Sequence, residues 1–244
     1  MHPATMHAAV NGLARWQQAD PHWANVALLL RGNGEHNGTT IVDSSPYAHT
    51  ITKYGNVRLD RGLPPPLAGR PYSADTASMY FDGTGDGVSA AAHSAFAWNG
   101  VDWTVEGWVY QQTSGDRCAF DNRYGSAVGC GIYLSLSSGQ HKLGYANNAA
   151  LVATSSNAIA NQTWTHWAVT REGNTVRGYL AGSKGFEYTD TRTFASSGVV
   201  PFIGCSNSQG QGTLGSLEEV RLTKGIARYT GSSFTPPTMA FPNF

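Results

Sequence analysis

Residues Trp103 to Gln111 read Trp-Thr-Val-Glu-Gly-Trp-Val-Tyr-Gln. Alternation places Trp103, Val105, Gly107 and Val109 on one face and Thr104, Glu106, Trp108 and Tyr110 on the other, the two-residue period of a β-strand. A helix would scatter the same apolar side chains around its circumference. Further short runs of this kind lie at Met79 to Phe81, Gly131 to Leu136, Lys142 to Ala146, Trp164 to Arg171, Thr175 to Leu180, Val199 to Ile203 and Leu214 to Leu222. Thr39 to Asp43 and His49 to Lys53 flank a Ser44-Ser45-Pro46 turn, and Val26 to Leu30 is apolar throughout, as a strand buried on both faces would be. Clusters of Gly, Asn and Ser separate these runs, and Ala90 to Phe96 is a single short helical-looking piece. The pattern predicts an all-β fold, a two-sheet antiparallel sandwich of jelly-roll type. No internal repeat or linker divides the chain, so one sandwich uses it from residue 23 to 244. The proline-rich segment Gly62 to Pro71 is expected to be an extended surface loop.

The sixteen Lys and Arg balance the sixteen Asp and Glu, and charged residues make up only 13% of the chain, against ~25% in an average domain. A neutral surface excludes holding nucleic acid or an anionic membrane by bulk charge. Twelve of the basic residues are Arg and four are Lys, and Arg is the cation favoured at protein interfaces.

Residues 1–22 stand apart as an N-terminal arm. Ala8, Ala9, Val10, Leu13, Ala14 and Trp16 share one weak apolar stripe, which Asp20-Pro21 ends. The arm reads equally as a frayed tail or as an anchor on a neighbouring subunit. No apolar signal-peptide core appears near Met1 and no run is long enough to span a bilayer, so the chain is expected to be made and kept in a cytoplasm, or to leave it without a Sec route. Cys118, Cys130 and Cys205 are too few for a disulfide scaffold and lack zinc-site spacing. They are expected as free thiols, with a Cys118–Cys130 hairpin bridge as the alternative.

The C-terminal stretch Gly215-Ser216-Leu217-Glu218-Glu219-Val220-Arg221-Leu222-Thr223-Lys224-Gly225-Ile226-Ala227-Arg228-Tyr229, followed by Phe234-Thr235-Pro236-Pro237, resembles the concanavalin A-like, laminin-G-like jelly rolls of bacteriophage tail and other virion surface proteins. Trp23 to Leu30, Tyr80 to Asp86, Trp103 to Trp108 and Trp164 to Arg171 extend the likeness over residues 23–244. The resemblance implies face-to-face sheets with the first and last strands adjacent. It also implies a virion structural protein, in a tail fibre or capsid decoration, made in a host cytoplasm and present in many copies or as a homo-oligomer; the distinct Met1 to Pro21 segment makes the arm the expected contact with other virion proteins. One departure stands out: an aromatic and an Asp-Gly often follow the Leu-Leu-Leu strand in that family, whereas Arg31-Gly32-Asn33-Gly34 follow here.

Related sandwiches often hold a structural Ca²⁺, and the family's strand pairing makes Asn33, Asp43 and Glu218 the candidate ligands, with Asp82 and Asp86 as a second option. Ordinary turn chemistry explains the same residues without a metal and is preferred. No other cofactor motif is present. Catalysis is not expected. Glycosidases use paired carboxylates, but the strand that would carry them offers Glu106 alone. Glu218 and Glu219, as neighbours on a regular strand, point to opposite faces. For sugar binding, which needs aromatic faces and amide or carboxylate hydrogen bonds, the candidates are Trp108 and Tyr110 on the strand, Tyr124 and Tyr145 as loop aromatics, and Asn122, Asn147 and Asn207 in polar loops. Trp108, Trp164 and Trp167 read also as core fillers. Two functions follow: a lectin-like adhesin for host-surface or environmental glycans, or a purely structural decoration or adaptor.

Overall fold

A computed structural model describes residues 19–61, 77–112, 117–123, 128–135, 141–148 and 150–244. Residues 1–18, most of the arm, and the proline-rich loop lie outside them. The strands, in chain order, are β1 (Val26–Leu30), β2 (Ile51–Tyr54), β3 (Arg58–Asp60), β4 (Ser78–Asp82), β5 (Gly87–Ala90), β6 (Trp103–Gln111), β7 (Arg117–Asp121) and β8 (Gly131–Ser135), then β9 (Gly144–Ala146), β10 (Leu151–Thr154), β11 (Trp164–Glu172), β12 (Thr175–Leu180), β13 (Ser183–Thr189), β14 (Phe202–Ile203) and β15 (Leu214–Lys224). An eight-stranded sheet runs β13-β12-β11-β6-β15-β4-β3, with β1 also paired to β15. The facing seven-stranded sheet runs β10-β9-β8-β7-β14-β5-β2. First and last strands are adjacent, Leu29 opposite Arg221 and Leu30 opposite Val220. No described helix is long and apolar enough to cross a membrane.

The expected faces of β6 are those observed. Trp103, Val105 and Val109 enter the core between the sheets with Met79, Phe120, Ile132, Trp167 and Val169. Trp98 stacks on Trp103 with ring centroids 4.4 Å apart. Val26 to Leu30 is buried along its whole length because Val26 and Leu29 pack under Phe241 of the C-terminal segment while Leu28 and Leu30 face the core. The three cysteines are free and buried, so the Cys118–Cys130 bridge is not formed. Thr39 to Asp43 forms no strand beyond a single bridge between Leu30 and Asp43. The Asp43 carboxylate captures Leu29 N–H, Ser45 N–H, Ser45 Oγ–H and His49 N–H at 2.8–3.0 Å, which fixes the turn that follows it. Ala90 to Phe96 contains one 3₁₀ turn, Ser94–Phe96, capped by His93.

The centre of the larger sheet is polar on its outer side. Glu106 on β6 accepts from Arg221 on β15 at 2.7 and 3.0 Å and from the Tyr229 hydroxyl at 2.7 Å. Arg221 also donates to Asp20 at 2.9 Å, and Arg228 donates to the same carboxylate at 2.8 and 3.1 Å. Asp20, counted with the arm by sequence, is therefore bonded into the sandwich, and its N–H donates to the Phe244 carbonyl at 3.1 Å. Burial alone would raise the Glu106 carboxyl, but Arg221 first, with His166 and Arg228, outweighs it and holds the group far below the usual range. Asp20 is lowered against its own burial, chiefly by Arg228. Segment 226–241 lies across this face through Thr104 Oγ1 to Ile226 O, Thr170 Oγ1 to Tyr229 O and Phe241 N to Glu219.

Arg221 reaches Glu106 because β15 is bulged. Register against β6 shifts between Glu218 and Arg221, and Glu219 takes a φ of 53°. The extra residue changes the parity of the strand: Leu217 faces the core before it, Val220 and Leu222 after it. Gly107 lies against the bulge, where a Cβ would meet the Glu218 and Glu219 carbonyls at 3.3 Å. The opposite-face expectation for the two glutamates assumed a regular strand and fails here. Glu219 accepts from Phe241 N–H at 2.9 Å, and the neighbouring Glu218 charge acts on it.

Removing one partner of a buried ion pair strands the others. Arg221→Met is expected to cost about 3–5 kcal/mol in urea unfolding, whereas Glu172→Gln, in the exposed pair with Arg177, should leave the midpoint unchanged. Burial raises the Glu219 carboxyl to about 7, with Arg31 opposing. The folded state then binds a proton that the unfolded chain releases at its ordinary, lower value, so this group weakens the fold as pH rises toward and through 7. Glu219→Gln should match the native protein at pH 4.5 and exceed it at pH 8 by on the order of 2–3 kcal/mol, read from melts at both pH values.

Candidate functional site

Three loops at one side of the smaller sheet converge on a polar cleft of about 330 Å³ lined by Arg123, Tyr133, Asn148, Ser206, Asn207, Ser208 and Gln211. They follow β7, β9 and β14. Tyr133 belongs to β8 and projects outward with Cys118 and Ala146, away from the main core.

The cleft is organised around Asp121, the last residue of β7 and wholly buried. Its carboxylate accepts from Arg123 Nε at 3.0 Å, Arg123 Nη2 at 2.7 Å, Arg123 N–H at 2.8 Å and Asn207 N–H at 3.2 Å. One acidic side chain thus fixes the β7 loop and the loop after β14. Arg123 Nη2 also donates to the Tyr133 hydroxyl at 2.7 Å, and that hydroxyl donates to Gln211 Oε1 at 3.1 Å. Burial pushes the Tyr133 hydroxyl up to about 12, so it keeps its proton for that bond. Arg123 Nη1 reaches the Asn147 carbonyl at 3.3 Å, and Asn207 Nδ2 donates to the Arg123 carbonyl. Because Arg123 is paired so closely with Asp121, the cleft presents amides and hydroxyls around a neutralised guanidinium. None of the described residues lining it is a carboxylate.

The sequence candidates divide. Asn207 lines the cleft. Asn147 lies behind it, its carbonyl on Arg123 and its side chain capping Ala150 N–H at 3.2 Å. Asn122 is buried, and its Oδ1 accepts from Cys130 N–H at 2.7 Å, so it holds the loop rather than facing solvent. Tyr124 lies outside the described residues. Tyr145 is corrected from a loop aromatic to a core residue. It sits on β9 with no exposed surface, packs near Trp103, and donates its hydroxyl to Asp190 at 2.7 Å. Trp108 and Tyr110 are half-buried on the outer face of the other sheet, so they do not join the polar loops. The lining residues that the sequence did not point to are Tyr133, Ser206 and Gln211, and the signal for Tyr133 was its place on a strand beside an Asp-x-Arg turn.

Of the Asn33, Asp43 and Glu218 set, Asp43 uses its carboxylate for hydrogen bonds to Leu29, Ser45 and His49. All four bonds to the Asp43 carboxylate come from its own chain, as given above, while Glu218 is buried on β15 against Trp108. No group of three or more His, Cys, Asp or Glu among the described residues is placed to hold a metal ion. Asp86 likewise serves its own turn, accepting from Asp82 N–H at 2.7 Å and from Asn56 N–H.

This architecture has known counterparts. Residues 82–226 match the Laminin_G_3 family model, described as the concanavalin A-like lectin/glucanases superfamily. That is more than half of the chain, and the chain belongs to this family. Among solved structures, domain 4 of AbnA, a GH43 extracellular arabinanase from Geobacillus stearothermophilus solved with arabinotriose, is similar at a TM-score of 0.62 and 16% identity, covering 83% of this chain and 94% of that one. The binding domain of Paraclostridial Mosquitocidal Protein 1 is similar at a TM-score of 0.59 and 12% identity, covering 84% of this chain. The botulinum neurotoxin serotype D binding domain is similar at 0.57 and 10%, also covering 84% of this chain. The match spans about half the length of the two toxin domains, 50% and 49%. At these identities the likeness is one of fold. No curated protein sequence matches the chain.

Asp121→Asn removes the charge that joins the two loops. Amide hydrogen exchange at Asn207 and Arg123 is expected to accelerate about tenfold or more, while core amides of β6 and β11 keep their protection.

Proposed function

We propose that this chain is a non-enzymatic, lectin-like adhesion module that holds neutral glycans in the cleft around Arg123, Tyr133, Asn207 and Gln211. The observation that carries this reading is the convergence of three loops, distant in sequence, on one cleft rich in amides and hydroxyls. Sugar hydroxyls exchange hydrogen bonds with such groups, and the edge of Tyr133 adds a small apolar contact. Among the described lining residues, the Asp121–Arg123 pair leaves no free cation for a sialic or uronic acid carboxylate. A glycosidase needs two carboxyl groups across the scissile bond, and the cleft lining supplies none among the described residues. The arabinanase domain, solved with arabinotriose, fits a carbohydrate-binding use of this sandwich.

The setting we propose is a phage virion, in a tail appendage or capsid decoration, with residues 1–18 contributing the anchor to other virion proteins and several copies per particle. Its support is the resemblance of the β15 strand and the Phe234-Thr235-Pro236-Pro237 segment to virion surface domains. A purely structural adaptor is the alternative reading.

A glycan array carrying neutral and acidic polymers distinguishes the two. Binding confined to neutral glycans is expected, weakened about tenfold or more in the Ser208→Ala, Gln211→Ala double variant, since each lost hydrogen bond is worth about 1 kcal/mol. An array with no signal, together with normal incorporation of the labelled chain into particles, would establish the adaptor instead.

A further inference from the structure

Three Asn-Gly pairs lie among the described residues: Asn33-Gly34, Asn37-Gly38 and Asn99-Gly100. All three are outside the strands, and all three asparagines are exposed. Such a pair carries a latent reaction. Glycine has no side chain to shield its backbone nitrogen, so that nitrogen can attack Cγ of the preceding asparagine when the two are brought into contact. A bond forms from the nitrogen to Cγ and closes a cyclic imide. The nitrogen gives up its proton, the side-chain amide takes one through solvent, and the Cγ–N bond breaks to release ammonia. A water molecule then adds to one of the two imide carbonyls and breaks its bond to the ring nitrogen. The product is aspartate or isoaspartate, according to which bond is broken.

The fold does not leave the three pairs equally free. At Asn37 the attacking nitrogen is occupied, because Gly38 N–H donates to the Glu35 carbonyl at 2.9 Å. Asn37 N–H to the Leu59 carbonyl at 2.8 Å and Leu59 N–H to the Gly38 carbonyl at 2.7 Å clamp the pair from both ends. At Asn99 a tight turn closes over the pair: Val101 N–H donates to the Trp98 carbonyl at 2.7 Å, and Asn99 and Gly100 both take positive φ. Trp98, which anchors that turn, is buried. Turning either peptide toward its side chain would break these bonds.

Asn33-Gly34 carries neither restraint. Gly34 N–H has no acceptor among the described residues, and the Asn33 amide has no partner among them. Arg61 Nε donates to the Gly34 carbonyl at 2.9 Å, which places a cation near the nitrogen that must release a proton. The Leu59 side chain occupies the space that a Cβ on Gly34 would need. Packing therefore requires the glycine, and the reactive pair persists with it.

We propose that Asn33 is a self-modification site, converting to aspartate and isoaspartate in the folded protein ahead of Asn37 and Asn99. Each conversion adds a negative charge to a chain whose formal net charge is zero. The isoaspartate form also reroutes the backbone through the former side chain.

The test incubates the full chain at mildly alkaline pH and maps its peptides by mass spectrometry over time, with isoaspartate scored by enzymatic methylation. Asn11-Gly12, outside the described residues, is read as its own peptide and does not enter the comparison. Asn33 should convert about fivefold or more faster than Asn37 and Asn99, the effect of one hydrogen bond that must first break. In a parallel sample unfolded in urea the three rates should converge. Comparable rates in the folded chain, faster conversion at Asn37 or Asn99, or no conversion at Asn33 would each overturn the assignment. A difference of the same size in urea would trace the order to local sequence instead of the fold and would overturn it as well.

Discussion

The buried set Glu106, Arg221, Asp20 and Arg228 is the constraint on which the larger sheet depends. Its members come from β6, from β15, from the chain just before β1 and from the segment after β15. Each charge is expensive to bury alone and acceptable only with its partners in place. The cluster therefore specifies geometry more than it adds stability. It requires β15 beside β6 in one register, and it requires both ends of the described chain to close over the same patch. The C-terminal segment that crosses the sheet is held at its start by Tyr229 on Glu106 and near its end by Phe241, whose ring lies 3.6 Å from the Arg221 guanidinium carbon.

The bulge at Glu219 follows from the same requirement. An unbulged β15 would turn Arg221 into the core and Val220 and Leu222 out of it. One added residue corrects the parity, at the expense of a left-handed glutamate whose carboxyl is buried beside Glu218. Gly107 across the ladder admits the displaced carbonyls. A strained backbone, a perturbed carboxyl and a small residue on β6 are thus parts of one solution.

Much of this was legible in the residues. The alternation from Trp103 to Gln111 identified both the strand and its inward face, and the all-apolar run from Val26 to Leu30 marked a strand covered on both sides. The Asn-rich loops pointed to the region of the cleft. Other features depend on contacts distant in sequence. Nothing local at Glu219 announces a positive φ, since the constraint comes from Arg221 meeting Glu106. Thr39 to Asp43 has strand composition, yet it pairs only through the single bridge of Asp43 to Leu30. Tyr145 sits in a three-residue strand next to glycine and asparagines, so its neighbours read as loop while its ring fills the core. Asn122 has the composition of a surface contact but uses its amide to close a turn at Cys130. Trp108 and Trp164, read as core fillers or as a platform, lie on the outer face, while Trp167 fills the core.

The pairing of Arg123 with Asp121 has a consequence for how the cleft behaves in different surroundings. Two opposite charges within hydrogen-bonding distance produce a field that fades quickly with distance, and the chain as a whole carries none to speak of. Approach of a ligand is then governed by diffusion and shape and not by long-range attraction. Dilute freshwater and concentrated brine should present much the same surface to it. On the multicopy reading proposed above, strength would come from many copies acting together, a form of adhesion that changes in ionic strength leave intact.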